Sequence, residues 1–392
     1  MKFKTEKLGE FLYIKGRIGW KGLKKNEYLA QGKYRIINGE SLTKDGIDWS
    51  KAGFISKERY DESPEIMLQK DDILISKDGT IGKLGFVTAL EMPSTVASGI
   101  FVLRNLKPEL INTRFIYHYL NSIYFKNFII SRTEGSVIPH LYQKDFVDLD
   151  FPLPSLEEQN KIVDILDAIL YKVEINKLIN DNLFQQAQSF YKYYFIDMEP
   201  SYGKIPEDWH VGTLSEIIEF HDAKRIPLSS RERVNLKKIY PYYGATSIMD
   251  YVDQYIFDGI YLLVAEDGTV IDSYGHPILQ YVEGKFWVNN HAHIITGKNG
   301  FTVETLYLLC SLTNIQSIVT GAVQQKISQS NLKNLSVIIP SESALKTFNS
   351  IIQPIFAEIR NLRIENDKLT ELYNTLLPRL ISGELDISKS KI

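Results

Sequence analysis

The residues that could carry out catalysis are few and poorly arranged for it. Glu283-Gly-Lys285, with Asp272 upstream, has the residue types of a metal-dependent nuclease, but so short a pattern often arises by chance and no Pro-Asp precedes it. The segment Gly79–Lys83 lacks the spacing of a nucleotide-binding phosphate loop. The chain contains no Asn/Asp-Pro-Pro-Phe/Tyr, the motif with which an amino-methyltransferase would hold its target amine. We therefore expect no catalytic site.

A metal site is not expected either. His291 and His293 alternate on a predicted strand, so their rings would face opposite sides and could not bind one ion together. Cys310 is the only cysteine, which excludes an internal disulfide and fits a reducing cytoplasm. We expect its thiol to be buried as a small apolar group.

The composition is that of a globular protein with two or three domains. Of the 392 residues, 44% are hydrophobic and 24% are charged. The net charge of -3 argues mildly against a nucleic-acid-binding protein, although basic residues cluster at Lys21–Lys25 and Arg225–Lys238. Met1 leads into no long apolar stretch and later apolar runs are strand-sized, so we expect no signal peptide, no membrane span and a cytoplasmic location.

The elements that must position any functional residue are present twice. Gly135–Ser155 aligns without a gap on Gly321–Ser341, an offset of 186 residues. Six aligned pairs are identical: Gly135/Gly321, Val137/Val323, Gln143/Gln329, Leu149/Leu335, Pro154/Pro340 and Ser155/Ser341. An internal repeat of this kind predicts two copies of one structural unit.

Upstream, the repeat continues more loosely. Ile73–Thr80 resembles Leu262–Thr269, an apolar strand that ends in an Asp-Gly-Thr turn. Val96–Leu103 resembles Val288–Ile295, again a strand pattern. The offset changes from 189 to 192 residues between these matches, which indicates loop insertions between shared elements.

Each copy is followed by a long predicted helix, with Ser155 and Ser341 as the N-caps. Apolar residues recur at alternating steps of three and four, the pattern of a coiled-coil seam. Asn180 and Asn366 occupy the same seam position, where a polar residue fixes the register of paired helices. We therefore predict that the two helices pack on each other, the alternative being that each caps its own domain. A helix of ~40 residues would be ~60 Å long, more than one ~34 Å turn of B-DNA.

These features resemble the specificity subunits of Type I restriction-modification systems over essentially the whole chain. The matching landmarks, in order, are Phe151–Val163, Ile205–Leu214, Tyr242–Thr246, Ala265–Thr269, Asn289–His293 and Leu376–Leu385. The first unit departs from the family in starting without a Pro-x-x-Trp opening and in having Ala97–Gly99 where the second has Asn289–His291. The second helix entry, Ser341–Leu345, lacks the Glu-Glu-Gln of the first.

The resemblance implies an α+β fold. Two target-recognition domains with mixed β-sheets would be separated and closed by two long helices that pair as an antiparallel coiled coil, giving an internal pseudo-two-fold repeat. The expected boundaries are 1–153 and 199–339 for the recognition domains, 154–198 and 340–386 for the spacer helices, and 387–392 for a tail.

The resemblance also implies a non-catalytic function. Each domain would read one half of a bipartite double-stranded DNA target, and the helices would dock two methylation subunits. Those partners would carry S-adenosylmethionine and methylate adenine, whereas motor-nuclease subunits would bind ATP with Mg and cut unmethylated DNA. This chain itself would bind no cofactor.

Reading a DNA sequence needs donors and acceptors at base edges and cations at phosphates, and loops on a rigid sheet usually supply them. The predicted contacts in the first domain are Lys77, Thr80, Lys83, Arg132, Ser136 and His140. Those in the second domain are Lys224, Arg225, Tyr243, Thr246, Thr269, Asn290, His291, Gln324, Gln325 and Lys326. For Asp78 and Asp267 we expect turn chemistry instead of base contact. One of Tyr242 and Tyr243 is expected to pack in the core.

Two other functions fit part of the sequence. The chain could be an interaction protein whose coiled coil serves assembly only, with degenerate recognition domains. It could also be the specificity half of a nuclease or methyltransferase that acts alone, which the absent catalytic motifs disfavour.

Overall fold

The computed structural model describes residues 3–43, 45–133, 140–321 and 324–387. The chain forms two compact units. Residues 1–174 with 366–392 make the first unit, and residues 175–365 make the second unit. Among the described residues, no helix combines the length and the apolar character that crossing a membrane would require.

The first unit contains eleven short strands, four short helices and part of each long helix among its described residues. The strands are β1 (Lys4–Lys7), β2 (Leu12–Gly16), β3 (Tyr34–Ile37), β4 (Leu42–Thr43), β5 (Gly46–Ile47), β6 (Gly53–Ile55), β7 (Ile73–Ser76), β8 (Leu84–Phe86), β9 (Ser94–Val96), β10 (Ile100–Asn105) and β11 (Asp150–Leu153). The short helices are α1 (Lys57–Asp61), α2 (Thr113–Asn121), α3 (Ile123–Thr133) and α4 (Gln143–Val147).

The central sheet of the first unit has the order β2-β10-β7-β8, and β10 pairs antiparallel with both of its neighbours. A second sheet, β6-β3-β9, is mixed because β3 and β9 run parallel. The residues of β7 are buried throughout, which explains its unbroken apolar run Ile73–Ile75. One face of the central sheet packs in a core with the long helices, through Leu103, Phe115, Leu166 and Leu377.

The second unit has ten strands and three short helices among its described residues. The strands are β12 (His210–Thr213), β13 (Ile218–Phe220), β14 (Tyr240–Tyr243), β15 (Ile248–Val252), β16 (Phe257–Ala265), β17 (Asp267–Gly268), β18 (Leu279–Val288), β19 (Ala292–Gly297), β20 (Gln325–Lys326) and β21 (Ser336–Ile339). The short helices are α6 (Ser230–Arg233), α7 (Val303–Ser311) and α8 (Gln329–Lys333).

The second unit repeats the connectivity of the first. Its sheet has the order β13-β19-β16-β18-β14-β15, and the first four strands correspond in sequence order to β2-β10-β7-β8. Strand β14 runs parallel to β18, so this sheet is also mixed. In both units the strand before the Asp-Gly-Thr turn is central in the sheet, which gives the turn a rigid base.

Two long helices are shared by the units. Helix α5 (Leu156–Tyr191) has 36 residues, followed by a π-helical turn at Lys192–Ile196, and helix α9 (Glu342–Ile381) has 40 residues. The predicted cap at Ser155 is present. The Glu158 amide donates to the Ser155 hydroxyl at 3.3 Å, and the Glu158 carboxylate accepts from the Ser155 amide at 3.0 Å.

Within each unit the two helices pack side by side in antiparallel order. In the first unit Leu166 and Ile169 share a core with Tyr373 and Leu377. In the second unit Tyr191 contacts Phe348, with 5.7 Å between the ring centroids, and Phe184 contacts Phe356. The expected α+β fold, with two mixed-sheet domains and two paired long helices, is confirmed.

The helix seam carries three asparagines with different surroundings. The Asn366 side-chain amide donates to the Val173 carbonyl at 3.3 Å in the first unit. In the second unit Asn176 is fully buried and donates to a Glu365 carboxylate oxygen at 2.7 Å. The buried side-chain oxygen of Asn180 has no hydrogen-bond partner among the described residues. The register role predicted for Asn180 and Asn366 stays a prediction.

A buried histidine joins the globular part of the first unit to both long helices. His118 of α2 lies with Nε2 2.8 Å from Asp167 Oδ1 of α5 and with Nδ1 2.9 Å from the Tyr373 hydroxyl of α9. Asp167 also accepts two hydrogen bonds from the Arg114 guanidinium. Burial by itself would raise the pKa of Asp167, but the hydrogen bonds from His118 and Arg114 outweigh it and lower the pKa to about 2.

In neutral His118 both ring nitrogens are satisfied, because Nε2–H donates to Asp167 and Nδ1 accepts from the Tyr373 hydroxyl. Burial is the largest influence on His118, and it lowers the pKa of the imidazole below its usual value. The neutral form is therefore the one that the folded first unit retains.

The two asparagines of the second unit are predicted to respond oppositely to leucine. Asn180→Leu removes a buried oxygen without a partner, and we expect it to raise the free energy of unfolding by about 1 kcal/mol. Asn176→Leu removes the amide that donates to Glu365, and we expect a loss of about 2 kcal/mol. Urea unfolding of the full chain measures both. Equal effects of the same sign would contradict the different surroundings described for the two side chains.

The stability of the first unit is predicted to depend on pH through His118. Because the folded-state pKa lies below the unfolded value of about 6.5, unfolding takes up a proton below that pH. The stabilisation contributed by neutral His118 is present above about pH 6.5 and is lost as the pH falls through the folded-state pKa of the imidazole. Thermal unfolding of the wild type and of His118→Gln between pH 5 and 8 measures it. The variant should lack this component, and parallel pH profiles for the two proteins would refute the role of His118.

Candidate nucleic-acid interface

The Asp-Gly-Thr turns project from equivalent strands of the two units. In the first unit the turn follows β7, and Gly79 and Gly82 adopt the positive φ values of 67° and 85° that its course requires. The Ser76 hydroxyl closes the turn by donating to the Thr80 carbonyl at 2.6 Å. In the second unit the turn follows β16, and Gly268 has a φ of 85°.

The predicted residues of the first unit gather around this turn. The Lys77 ammonium lies 4.7 Å from the centroid of the Phe101 ring, Thr80 is exposed, and Lys83 donates to the Gly39 carbonyl at 3.3 Å. His140 bonds through Nδ1 to the Asp78 carboxylate of the turn.

Helix α3 also reaches this turn. A Cβ at Gly82 would lie only 2.8 Å from Ile129 Cδ1, so the helix and the turn are in contact. Arg132, one turn of helix further on, lies over the Phe128 ring and is exposed. Ser136, the remaining predicted residue of the first unit, lies outside the described residues.

In the second unit β20 pairs with the turn and brings distant residues to it. Asp267 opposes Lys326 and Gly268 opposes Gln325 in an antiparallel pair, with exposed Gln324 next along the chain and exposed Thr269 following the turn. The His291 ring lies with Nδ1 2.8 and 2.9 Å from the two carboxylate oxygens of Asp267. Asn290, beside it, is exposed.

Tyr243 and Thr246 lie on and after β14. The Tyr243 carbonyl accepts from the Asn289 amide at 3.0 Å, which places β14 next to the segment that carries Asn290. Thr246 is exposed, whereas Tyr243 is half-buried against Phe286. Tyr242 is the core residue of the tyrosine pair, because it is 1% exposed and its hydroxyl accepts from the Leu228 amide at 2.9 Å.

Arg225 is engaged within the protein. Its guanidinium lies 2.7 Å from Glu266 and donates to the Ala292 carbonyl at 2.8 Å, and its side chain is only 15% exposed. Lys224, its neighbour, is exposed. The DNA contact predicted for Arg225 stays a prediction, and the contacts observed hold the strand that carries the turn.

A cluster of acidic and histidine side chains lies beneath the turn of the second unit. Asp222, Glu266 and His293 form the one group of three potential metal ligands found among the described residues. His293 lies with Nδ1 2.6 Å from Asp222 and donates from Nε2 to the Ile327 carbonyl at 2.9 Å. His291 and His293 therefore bind different carboxylates.

Protein donors already occupy the oxygens of this cluster. Asp222 accepts from the Ile294 amide at 2.8 Å and from Gln329 at 2.9 Å, and Glu266 accepts from Arg225. Burial alone would raise the pKa of Asp222, but the hydrogen bonds from His293, Ile294 and Gln329 outweigh it and lower the pKa. These contacts form an ion-paired network in which protein donors, without a metal, bond the carboxylate oxygens.

The sequence features that suggested other chemistry have structural roles. Glu283 lies 3.5 Å from Arg360, and Lys285 lies over the Tyr255 ring, so the two residues have different partners along β18. Cys310 is buried in α7, and burial raises the pKa of its thiol to about 12. Sequence reasoning missed Asp222 and Glu266 as a network, and also missed that Asp78 and Asp267 hold imidazole rings. Only the proximity of Glu266 to the Asp-Gly-Thr turn could have indicated part of this.

Comparison with known proteins agrees with this arrangement. A family model described as Type I restriction modification DNA specificity domain matches residues 1–185 and 206–372. The chain is 24% identical over 336 residues to the Type I restriction enzyme MjaIX specificity subunit of Methanocaldococcus jannaschii, covering 78% of this chain and 76% of that protein. It is 23% identical over 437 residues to the MjaVIII specificity subunit of the same organism, covering 97% and 92%.

A solved structure shares the fold. The crystal structure of a Type-I restriction-modification system S subunit from M. genitalium superposes with a TM-score of 0.55 at 18% sequence identity, covering 97% of this chain and 96% of that one.

The chain therefore belongs to the Type I restriction modification DNA specificity domain family. The expected function, that of a DNA specificity subunit with no catalysis of its own, is confirmed by this membership.

Arg225 is predicted to stabilise the second unit. Arg225→Met removes the closer of the two cations beside Glu266 and the arginine beside Asp222, and breaking a largely buried ion pair on one side costs about 3 kcal/mol. Thermal or urea unfolding measures the loss. The control is Arg231→Met, an exposed arginine on α6, which we expect to change stability by less than about 0.5 kcal/mol. An Arg225→Met protein with unchanged stability and weakened DNA binding would instead assign Arg225 to the DNA.

Proposed function

We propose that each unit reads one half of a bipartite double-stranded DNA target through its Asp-Gly-Thr turn. The observation that carries the proposal is the repetition of one arrangement. In each unit a turn on a central strand brings together a histidine ring, a hydroxyl and at least one lysine side chain. Loops mounted on a rigid sheet suit this task, because base-edge donors and acceptors must be held in place to discriminate.

The side chains proposed to read bases are those with exposed polar groups at the turns. They are Thr80 in the first unit and Thr269, Asn290 and Gln324 in the second, together with the half-buried Gln325. A carboxamide can bond an adenine edge at two positions, which suits the two glutamines. Lysines 77, 83 and 326 are proposed to contact phosphates, which fix position without reading sequence.

The proposed domain boundaries follow from the same reading. Recognition domains would occupy 1–153 and 199–339, spacer helices 154–198 and 340–386, and a tail 387–392. The paired helices would bind two methylation subunits that carry S-adenosylmethionine. Motor-nuclease subunits would bring ATP and Mg, and this chain would supply no cofactor site.

An exposed face of α5 supports the docking of a protein partner. Phe190 and Tyr193 are 38% and 48% exposed and lie beside Gln185, Gln186 and Ser189 around a groove of 580 Å³. Exposed aromatic rings among amide side chains are typical of protein interfaces.

The test is a genome-wide map of methylated adenine in cells with and without this gene. We expect deletion to remove methylation at one split motif, because one chain would supply both half-target readers. Replacing residues 199–339 with the corresponding segment of another specificity subunit should change one half of the motif and preserve the other.

The control is purified chain incubated with DNA and S-adenosylmethionine without partners, which should transfer no methyl group. Methyl transfer by this chain alone would contradict a purely recognising role. An unchanged methylation map, in cells where the complex is expressed and assembled, would favour an assembly protein with degenerate recognition domains.

A further inference from the structure

Both units hold a histidine ring on the aspartate of the Asp-Gly-Thr turn. In the first unit His140 bonds Asp78, and in the second His291 bonds Asp267. In each pair Nδ1 faces the carboxylate, which leaves Nε2 as the ring edge available to a ligand. Both rings are partly accessible, with exposed side-chain fractions of 29% for His140 and 44% for His291.

The two rings come from different places in the repeat. With the offset of 192 residues that relates Val96 to Val288, His291 corresponds to Gly99 of the first unit. A Cβ at Gly99 would lie 3.7 Å from the Asp78 carboxylate, so this position adjoins the aspartate in the first unit too.

The second position beside the turn carries the histidine in the first unit and a lysine in the second. With the offset of 186 residues, His140 corresponds to Lys326 of the second unit. Lys326 pairs with Asp267 across β17 and β20. Each unit thus has two chain positions beside the turn carboxylate, and each places one histidine at a different one of them. The imidazole–aspartate pair is therefore present in both units, although a different position of the repeat supplies the ring in each.

The chemistry of the pair favours an anionic ligand. A ring that donates from Nδ1 to a carboxylate can donate from Nε2 as well only as an imidazolium, and it then carries a positive charge. In the first unit Lys77 and Lys83 flank the turn, and Lys144 lies over the Tyr142 ring that contacts His140.

Two cations also lie near the ring in the second unit. Lys326 lies 3.5 Å from Glu266, and Arg225 lies 2.7 Å from the same carboxylate. Glu266 is therefore balanced by two cations, which leaves Asp267 as the acidic partner of His291.

We propose that each histidine donates from Nε2 to a phosphate oxygen of its own half-target, with Asp78 and Asp267 as positioning residues. The proposal rests on the proposed function, since it assumes that the turns face DNA. A phosphate is the expected partner because the pair supplies a cationic donor and recurs in two units whose surrounding loops differ. A charged donor present in both readers is suited to the phosphate, which carries the same negative charge in every sequence.

The experiment uses the full chain in complex with its methylation subunit. The probes are a 40-base-pair duplex containing the mapped target and one of mixed sequence, with affinity measured at several salt concentrations at pH 6.5. We expect His291→Gln to weaken binding to both duplexes about tenfold. The slope of log K against log salt should become less steep by about 0.9, because one phosphate contact is lost.

Three further variants separate a phosphate contact from a structural role. His291→Lys should restore much of the affinity and the salt slope, since it keeps a cation at the turn. Asp267→Asn should lose affinity in the same direction as His291→Gln, because a neutral carboxamide holds the charged ring less firmly than the carboxylate does. His210→Gln is the matched control, because this exposed histidine also pairs with a carboxylate, at 3.3 Å from Glu216, but lies on β12. It should bind as the wild type does.

The same pair of changes in the first unit, His140→Gln and Asp78→Asn, should give the same result. Wild-type affinity in all four glutamine and asparagine variants would overturn the inference and leave the proposed function standing. A loss confined to targets with one particular base pair would overturn it in favour of base reading. A wild-type complex that binds neither duplex would refute the proposed function itself, which makes the two failures distinguishable.

Discussion

Carboxylates at the contact between the globular parts and the long helices constrain how each globular part can pack. A polar group taken out of water must find its hydrogen bonds in the protein, and a partly satisfied network is worse than an apolar contact. In the first unit Asp167 meets this requirement through His118 and Arg114, and the neutral His118 extends the network to Tyr373. Rotation of α2 or a shift along α5 would leave the half-buried charge of Asp167 without its protein partners. The network therefore fixes register as well as contact.

The second unit satisfies the same constraint with different residues. Glu304 of α7 accepts from Gln353 at 2.9 Å and from the Tyr281 hydroxyl at 2.8 Å, and Arg360 lies 3.1 Å away. Gln353 occupies the position of Asp167 in the repeat, 186 residues on. The acidic group has moved from the long helix to the short one, and the polar link between them remains. The repeat thus preserves the place of the link more closely than its chemistry.

Periodic features could be predicted from the sequence, and pairings between distant residues could not. The two copies, the Asp-Gly-Thr turns, the cap at Ser155 and the long helices each leave a local or repeating pattern. His118 and Tyr373 are 255 residues apart, and neither has a neighbour that marks it as a partner. The net charge was a poor guide to DNA binding, because it does not show which charges are paired within the protein. Arg225 and Arg233, for example, are paired with Glu266 and Asp250. A local cationic turn can arise in a chain whose total charge is -3.

The discontinuous make-up of the first unit has a consequence for its synthesis. The second unit is one continuous segment, but the core of the first includes Tyr373, Leu377 and Leu380 from the end of α9. On the ribosome, the first part made cannot close its core until nearly the whole chain has emerged. Until then Leu166 and Ile169 lack the α9 residues that pack against them. The second unit can finish before the first, and a premature stop after Glu365 would damage the amino-terminal unit while sparing the second unit, whose segment is complete at that point.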